Sequence, residues 1–228
     1  EALEKQLGSV SESLQRARID VAQLTKFEEI GSGVFGTVSR GVYLGTPCAI
    51  KRLHRHRLND KALEAFKNEV EMQLTLRHPN VIQVIGGGWD LQRGEVIMVM
   101  ELAPHGTLGA LLADARAEAA WAQQRLPMAL GIARAMAYLH SMGIIHRDLK
   151  PDNVLLAEGM VPKVADFGVS RAADDSLTMT AVGTPLFCAP ELLMHSRYDR
   201  SVDVWSFGCV MACLWSWQPA PYPKDEKA

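Results

Sequence analysis

The spacing of hydrophobic residues changes along the chain, and each spacing predicts a different element. From Leu3 to Leu24 apolar residues recur at alternating intervals of four and three, as on one face of a helix. This pattern predicts an amphipathic helical extension over residues 1–24. The helix either lies against the domain that follows it, which is the preferred interpretation, or it pairs two chains as a short coiled coil.

From Phe27 to Leu53 the apolar period becomes two and glycines interrupt it, which predicts three antiparallel strands. A helix is predicted over residues 60–76, with Leu63, Phe66, Val70 and Leu74 as its apolar stripe. Two further strands are predicted near residues 81–85 and 96–100. After Pro104 the pattern becomes mainly helical, and helices are predicted over residues 108–120, 126–141 and 202–217. Strands that precede helices indicate an α+β protein, with a small antiparallel-sheet lobe followed by a helical lobe.

Composition narrows the possible classes of protein. The chain has 228 residues, of which 48% are hydrophobic and 22% charged, so it can form a core, and its net charge of -2 gives no reason to expect nucleic acid or a membrane surface as a partner. Its four cysteines lack a CxxC pair and are expected to be reduced and buried. No secretory signal or membrane span is recognisable. We expect a cytoplasmic domain, or the cytosolic part of a larger protein, and a first residue other than Met indicates a fragment.

The stretch "IGSGVFGTV" places Gly31, Gly33 and Gly36 before Val38. Taken alone this signal is weak, because glycines are common in hairpins. A dinucleotide-binding loop would lead into a helix and find an acidic residue about 20 positions later. Here a strand follows, and position 56 is His. A glycine-rich hairpin that offers backbone N–H groups to phosphates fits the pattern better.

The stretch "CAIK" ends an apolar strand on Lys51. A buried ammonium group needs a partner, and Glu69 on the following helix is the natural candidate. The alternative, which this stretch taken alone favours, is a lysine that extends its ammonium group to the surface.

The stretch "HRDLKPDN" is more specific, because Asp148, Lys150 and Asn153 fall within six residues and "DFG" follows with Asp166. A carboxylate and an amide suit Mg²⁺, which prefers oxygen ligands. The other carboxylate, Asp148, could accept a proton from an incoming hydroxyl group.

These motifs occur in one order, together with "APE" at residues 189–191 and "DVWSFG" further on. From Phe27 to Pro223 the chain resembles a eukaryotic protein kinase catalytic domain. Lys150 and "GTPLFCAPE" resemble the serine/threonine type, and "GVYLGTPCAIK" resembles the tyrosine-kinase-like group. The resemblance implies a bilobal fold, with a small lobe and hinge over residues 25–103 and a partial large lobe over residues 104–228.

The resemblance also implies ATP and Mg²⁺ as cofactors, protein substrates, and a role for each matching residue. Lys51 would hold the α- and β-phosphates and pair with Glu69, Asp148 would act as the base, and Lys150 would contact the γ-phosphate. Asn153 and Asp166 would hold Mg²⁺. The nucleotide would be bound by Ile30, Gly31, Ser32, Gly33, Val34, Gly36, Val38, Ala49, Lys51, Met100, Glu101, Ala103 and Leu155. Met100 would narrow access to the deeper pocket, and residues 101–103 would form the hinge.

Two features depart from the family pattern or suggest regulation. Gln73 stands where the family has an apolar residue that packs with Phe167 and His146, so we expect weaker packing of its helix in the active form. Arg147, beside Asp148, indicates control by a phosphate on Ser176, Thr178 or Thr180.

The large lobe also ends earlier than the family pattern. An alternative hypothesis follows from this early end, in which the chain is a non-catalytic nucleotide-binding scaffold or partner-binding module. A second copy of the chain, paired through residues 1–24, is a further candidate partner.

Overall fold

A computed structural model of the chain describes residues 11–32, 36–54, 60–90, 94–114, 116, 122–166, 171–172, 185–194 and 196–222. The chain divides into two compact units. The first consists of Glu1–Arg77 and Ile82–Leu102, and the second of His78–Val81 and Ala103–Ala228. The division after Leu102 falls within the predicted hinge, while residues 78–81 belong to the second unit.

The first unit is built on an antiparallel sheet and one long helix. Its elements are α1 (Glu12–Arg16), a 3₁₀ turn (Val21–Gln23), β1 (Leu24–Ser32), β2 (Gly36–Tyr43), β3 (Thr46–Leu53), α2 (Asp60–Thr75), β4 (Val84–Asp90) and β5 (Glu95–Glu101). In the described part of the chain, the sheet has the strand order β1-β2-β3-β5-β4. The three strands predicted between Phe27 and Leu53 are confirmed. The strand predicted near residues 81–85 was placed too early, because the ladder with β5 begins only at Val84.

Alternating side chains give the sheet two different faces. One face carries an apolar cluster of Ile19, Leu24, Cys48, Ile50, Ile97 and Val99. The other face carries Val38, Lys51, Ala49 and Met100, because Val38 lies opposite Lys51 and Ala49 lies opposite Met100 in the strand register. The residues predicted to bind the nucleotide from the sheet therefore share the face that does not carry this cluster.

Helix α2 buries most of its predicted stripe. Leu63, Phe66 and Val70 are buried, whereas Leu74 is half-buried. The next buried position is Gln73, whose exposure is 3%. Residues 63, 66, 70 and 73 of this helix are thus buried. Their spacing is helical, and the last of them is polar.

The helix predicted over residues 1–24 is wrong beyond Arg16, and residues 1–10 lie outside the described residues. The backbone of Ala17–Ile19 instead lies beside β4: Ile19 N donates to Gly87 O (2.9 Å) and Gly87 N donates to Ala17 O (3.2 Å). Glycines at 86 and 88 permit this approach, because a Cβ at Gly86 would overlap the Ala17 carbonyl and one at Gly88 would lie 2.6 Å from Ile19 O. Leu14 is 2% exposed, so the docked alternative is favoured over pairing for this position.

The second unit is mainly helical. Its elements are α3 (Leu108–Ala113), a 3₁₀ turn (Ala122–Gln124), α4 (Arg125–Ser141), β6 (Ile144–Ile145), a 3₁₀ turn (Pro151–Asn153), β7 (Val154–Leu156), a 3₁₀ turn (Glu158–Met160), β8 (Pro162–Val164), β9 (Arg171–Ala172), a 3₁₀ turn (Pro185–Phe187), α5 (Pro190–Leu193) and α6 (Ser201–Ser216). β6 pairs with β9 and β7 pairs with β8. The helices predicted over residues 126–141 and 202–217 are confirmed to within a residue at each end.

The helix predicted over residues 108–120 is too long. Helix α3 ends at Ala113, and Asp114 has an extended backbone. Asp114 Oδ1 accepts a hydrogen bond from Arg116 N (3.0 Å), and Asp114 O accepts one from Trp217 Nε1 (3.3 Å). The aspartate side chain thus bonds the local backbone in a turn, which competes with continuation of the helix. No helix in the described ranges is both long and apolar enough to cross a membrane.

Candidate active site

Lys51 and Glu69 form an ion pair in the first unit. Lys51 Nζ lies 3.1 Å from Glu69 Oε1, and the two side chains are 15% and 14% exposed. The pair joins β3 to α2, as the sequence predicts, and the alternative of an unpaired surface lysine is wrong. Because the pair is largely shielded from water, the carboxylate fixes the ammonium group more firmly than an exposed partner would.

The predicted nucleotide-binding residues of the first unit differ in exposure. Ala49 and Met100 are buried, Val38 is half-buried, and Ile30 and Ser32 are exposed. Gly33 and Val34 lie outside the described residues. Ile30 is apolar, Ser32 is small, and both lie at the exposed end of β1. A ligand that binds there would cover these side chains without displacing packed residues.

The glycines of the predicted phosphate loop occupy different surroundings. A Cβ on Gly36 would overlap the carbonyl oxygen of Arg52, so this glycine is required by the close approach of β2 to β3. A Cβ on Gly31 would meet no atom of the described residues within 4 Å. The packing of the described residues around Gly31 therefore does not require a glycine, and the role predicted for Gly31 at the phosphates stays a prediction.

Glu101, at the end of β5, has a structural contact that the sequence did not reveal. Its carboxylate accepts a hydrogen bond from Gln83 N (Oε1, 2.7 Å), and its own backbone N donates to Gln83 O (2.9 Å). Together these bonds fix the end of β5 to the residue before β4. The carboxylate that interrupts the apolar strand "VIMVM" thus holds the strand end in place.

The turn after the predicted hinge is fixed within the second unit. His105 N donates to Leu156 O (3.1 Å) and Leu156 N donates to Gly106 O (2.8 Å). Gly106 has φ +72°, a conformation that glycine adopts without strain. Leu155 is half-buried, although its neighbours Val154 and Leu156 are fully buried. Ala103 is also half-buried. Both retain the accessibility that the predicted contact with adenine needs.

The structure brings together Asp148, Lys150 and Asn153 in one hydrogen-bonded group. Lys150 Nζ donates to Asp148 Oδ2 (2.8 Å). Asn153 Nδ2 donates both to Asp148 O (2.7 Å) and to Asp148 Oδ2 (3.0 Å). With its amide nitrogen committed to Asp148, Asn153 has its side-chain oxygen as the atom suited to a cation.

Asp166 is connected to this group by a backbone hydrogen bond that the residue before it donates. Ala165 N donates to Asn153 O (2.9 Å), so the residue before Asp166 is bonded to the residue predicted as the other metal ligand. Asp166 is exposed and has φ 63°. Such a backbone is uncommon outside glycine and recurs at functional sites.

The donor set fits Mg²⁺ chemically. One carboxylate and one amide oxygen are hard ligands, and Mg²⁺ usually completes its coordination with substrate phosphates and water. Among the described residues no group of three or more His, Cys, Asp or Glu side chains could hold a metal ion. Asp166 and Asn153 would supply two oxygen ligands to such a cation, and phosphates and water would supply the others.

Asp203 anchors the loop that carries Asp148, although the sequence analysis gave it no such function. It is 1% exposed, and its carboxylate accepts backbone N–H groups of His146 (2.9 Å) and Arg147 (2.8 Å). His140 Nε2 lies 2.8 Å from the same carboxylate. A lone aspartate within an otherwise apolar helix was the available signal, because a buried carboxylate requires such partners.

His146 and Arg147 are also held by specific contacts. His146 Nε2 lies 3.0 Å from Ala165 O, and its Nδ1 accepts from Asp148 N (3.3 Å). Arg147 Nη1 donates to Tyr198 Oη (3.2 Å), and its backbone has φ 68°. Phe167 and the hydroxyls predicted for phosphorylation, Ser176, Thr178 and Thr180, lie outside the described residues.

Comparisons with known proteins identify the family of the chain. The family model described as "Protein kinase domain" matches residues 24–228. The chain therefore belongs to the protein kinase family, and the predicted bilobal α+β fold class is confirmed.

Individual relatives are more specific. The chain is 37% identical to the probable serine/threonine-protein kinase drkA of Dictyostelium discoideum over 85% of this chain and 30% of the relative. It is 39% identical to the probable serine/threonine-protein kinase kinX of the same organism over 96% of this chain and 21% of the relative. It is also 35% identical to a mouse megakaryocyte-associated tyrosine-protein kinase, over 95% of this chain and 42% of the relative. The chain thus spans less than half the length of each of these relatives.

Proposed function

We propose that the chain transfers the γ-phosphate of ATP to serine and threonine hydroxyls of protein substrates, with Mg²⁺ as cofactor. The observation that carries this proposal is the group formed by Asp148, Lys150 and Asn153, with Asn153 bonded to the backbone before Asp166. A carboxylate, an ammonium group and an amide thus lie together and are bonded to the backbone that leads to Asp166, and this grouping supports the proposal.

Each residue has a defined task in this proposal. Lys51, held by Glu69, binds phosphate oxygens, and Asn153 with Asp166 would hold Mg²⁺, which neutralises charge on the phosphates when bound. Asp148 orients the substrate hydroxyl and accepts its proton. Lys150 lies beside Asp148 and contacts the transferred phosphoryl group. Catalysis under this scheme relies on positioning and charge compensation, since phosphoryl transfer proceeds through a loose transition state.

Support for serine and threonine as acceptors comes from two sources. Lys150 stands two residues after Asp148, as in the serine/threonine type, and the relatives drkA and kinX are named as probable serine/threonine kinases. The mouse relative is named as a tyrosine kinase, so the acceptor must be tested directly.

The test measures phosphate transfer from ATP·Mg²⁺ to three peptide pools that differ only in a central Ser, Thr or Tyr. We expect transfer to Ser and Thr by the parent chain. Asp148→Asn removes the proton acceptor and should lower turnover by about 10²–10⁴-fold. Asp166→Asn removes a metal-ligand charge and should abolish turnover, while circular dichroism and melting temperature show that both variants remain folded.

Three outcomes would contradict the proposal. Near-parental turnover in Asp166→Asn would show that this carboxylate does not hold the metal. Transfer to Tyr alone would overturn the assignment of the acceptor. A folded parent that binds ATP without transferring phosphate would support the scaffold alternative instead.

A further inference from the structure

Gln73 is a buried polar residue for which the proposed mechanism has no use so far. Its exposure is 3%, and it extends the buried spacing of α2 after Leu63, Phe66 and Val70. A buried amide is costly unless it is hydrogen-bonded, so its partner indicates what it does.

That partner is the carboxylate that holds Lys51. Gln73 Nε2 donates to Glu69 Oε1 at 3.3 Å, and Lys51 Nζ lies 3.1 Å from the same oxygen. Glu69 and Gln73 are four residues apart on α2, where side chains of a helix are neighbours. A carboxylate oxygen has two lone pairs and accepts both donors at once.

We propose that Gln73 is a positioning residue, which acts through Glu69 to fix the orientation of the carboxylate toward Lys51. This inference rests on the proposed kinase function and adds a residue to its machinery. Glu69 has rotatable side-chain bonds, and one ionic contact alone leaves the carboxylate free to rotate about them. A second donor on the same oxygen, fixed on the same helix, restricts that rotation and keeps Oε1 directed at the ammonium group.

The resemblance to other kinases, which have an apolar residue at this position, predicts the opposite effect of an apolar substitution at Gln73. If position 73 mattered only for apolar packing, an apolar side chain would strengthen the active form. If the amide orients Glu69, the same change would weaken it. The sign of the effect of Gln73→Met therefore distinguishes the two interpretations, since methionine keeps the length and flexibility of glutamine but lacks the N–H donor.

The experiment compares kcat and the KM for ATP in the parent chain, Gln73→Met and Gln73→Glu. We expect Gln73→Met to lower kcat/KM for ATP by about 10- to 150-fold, in the range of one hydrogen bond to a charged group. Gln73→Glu should lower it further, because a second carboxylate would repel Glu69. The matched control is Asn68→Met, an amide-to-methionine change at an exposed position of the same helix, which should leave both constants near parental values.

A double-mutant cycle with Glu69→Ala separates positioning from a general structural effect. Once Glu69 is absent, Gln73→Met should cause no further loss of kcat/KM. Independent losses that multiply would overturn the proposal, and so would a Gln73→Met variant as active as the parent or more active.

A second measurement does not depend on turnover. The side-chain NH₂ signals of Gln73 in a ¹H–¹⁵N spectrum, assigned by their loss in Gln73→Met, should shift strongly in Glu69→Ala. Unshifted signals would show that the bond is absent and would overturn the inference. A parent chain without phosphotransfer would refute the proposed function, and these signals would still decide whether Gln73 binds Glu69.

Discussion

At the scale of single residues, two glycines near the predicted phosphate loop are glycines for different reasons. Gly36 is required by packing, because any Cβ would overlap the Arg52 carbonyl oxygen, whereas a Cβ on Gly31 would contact none of the residues that the structure describes. The position that packing leaves unexplained is the better candidate for contact with a ligand.

The two alanine variants should therefore behave differently. Gly36→Ala should lower the stability of the first unit by about 1–3 kcal/mol, the usual cost of overpacking. Gly31→Ala should change stability by less than about 1 kcal/mol, since its backbone lies outside the left-handed region, yet it should raise the KM for ATP several-fold. Melting temperatures and ATP titrations of both variants check this. Unchanged ATP binding in Gly31→Ala would remove Gly31 from the nucleotide site.

At the scale of elements, the short helix α1 contributes to the support of α2. Ser11 N donates to Glu71 Oε1 (3.2 Å), and a Cβ on Gly87 would lie 3.5 Å from Leu14 and 3.3 Å from Val70. Leu14 and Val70 thus approach the same position of β4, and Val70 adjoins Glu69 in the chain.

Leu14→Ala should loosen this support. We expect a loss of about 2–4 kcal/mol from the cavity that a buried leucine leaves, together with faster hydrogen exchange of amides in α2. Leu44→Ala is the control, because Leu44 is 71% exposed and should change neither quantity. If exchange in α2 is the same in Leu14→Ala as in the parent, then α1 does not support that helix.

An element could be predicted from the sequence where the residues that determine it lie close together in the chain. The strands between Phe27 and Leu53 and helices α2, α4 and α6 were predictable, because their apolar period is set by residues close in the chain. The path of residues 17–24 was not, since it depends on Gly86 and Gly88 of β4. The apolar residues of this segment recur with a helical period, yet its backbone pairs with a distant strand.

The candidate site shows the same limit. Asp148, Lys150 and Asn153 lie within one motif, so their grouping could be predicted from spacing. A lone aspartate in an apolar helix signals that Asp203 needs partners, but the sequence does not show that one of them is His146, 57 positions away, because no local period encodes that contact. The Gln73–Glu69 bond was not predicted either, because the predicted apolar stripe of α2 ended at Leu74, whereas the structure buries Gln73.

At the scale of the whole molecule, the four cysteines are buried and none forms a disulfide. Burial raises the pKa of Cys48, Cys188 and Cys209 above the usual thiol value, and it raises the pKa of Cys213 to about 12. The thiolate is the reactive form of cysteine, so a raised pKa leaves little of it at pH 8. Burial also blocks access to each sulfur.

We therefore expect no rapidly reacting thiol in the folded chain. With a disulfide reagent such as dithionitrobenzoate at pH 8, the native protein should react slowly, and denaturant should release all four thiols. The rate in the native state should rise with pH, because deprotonation of a thiol of raised pKa requires more alkaline solution. One equivalent of fast reaction at pH 8 without denaturant would show that a cysteine is accessible and contradict this account.

The pairing of Ala17–Ile19 with Gly87 also bears on solubility. β4 is the last strand of its sheet, and an outer strand with unpaired N–H and C=O groups can act as a template for a strand of another molecule. Here the chain's own preceding segment bonds both the N–H and the C=O of Gly87. At that point, the backbone groups through which a second molecule could extend the sheet and begin aggregation are already occupied.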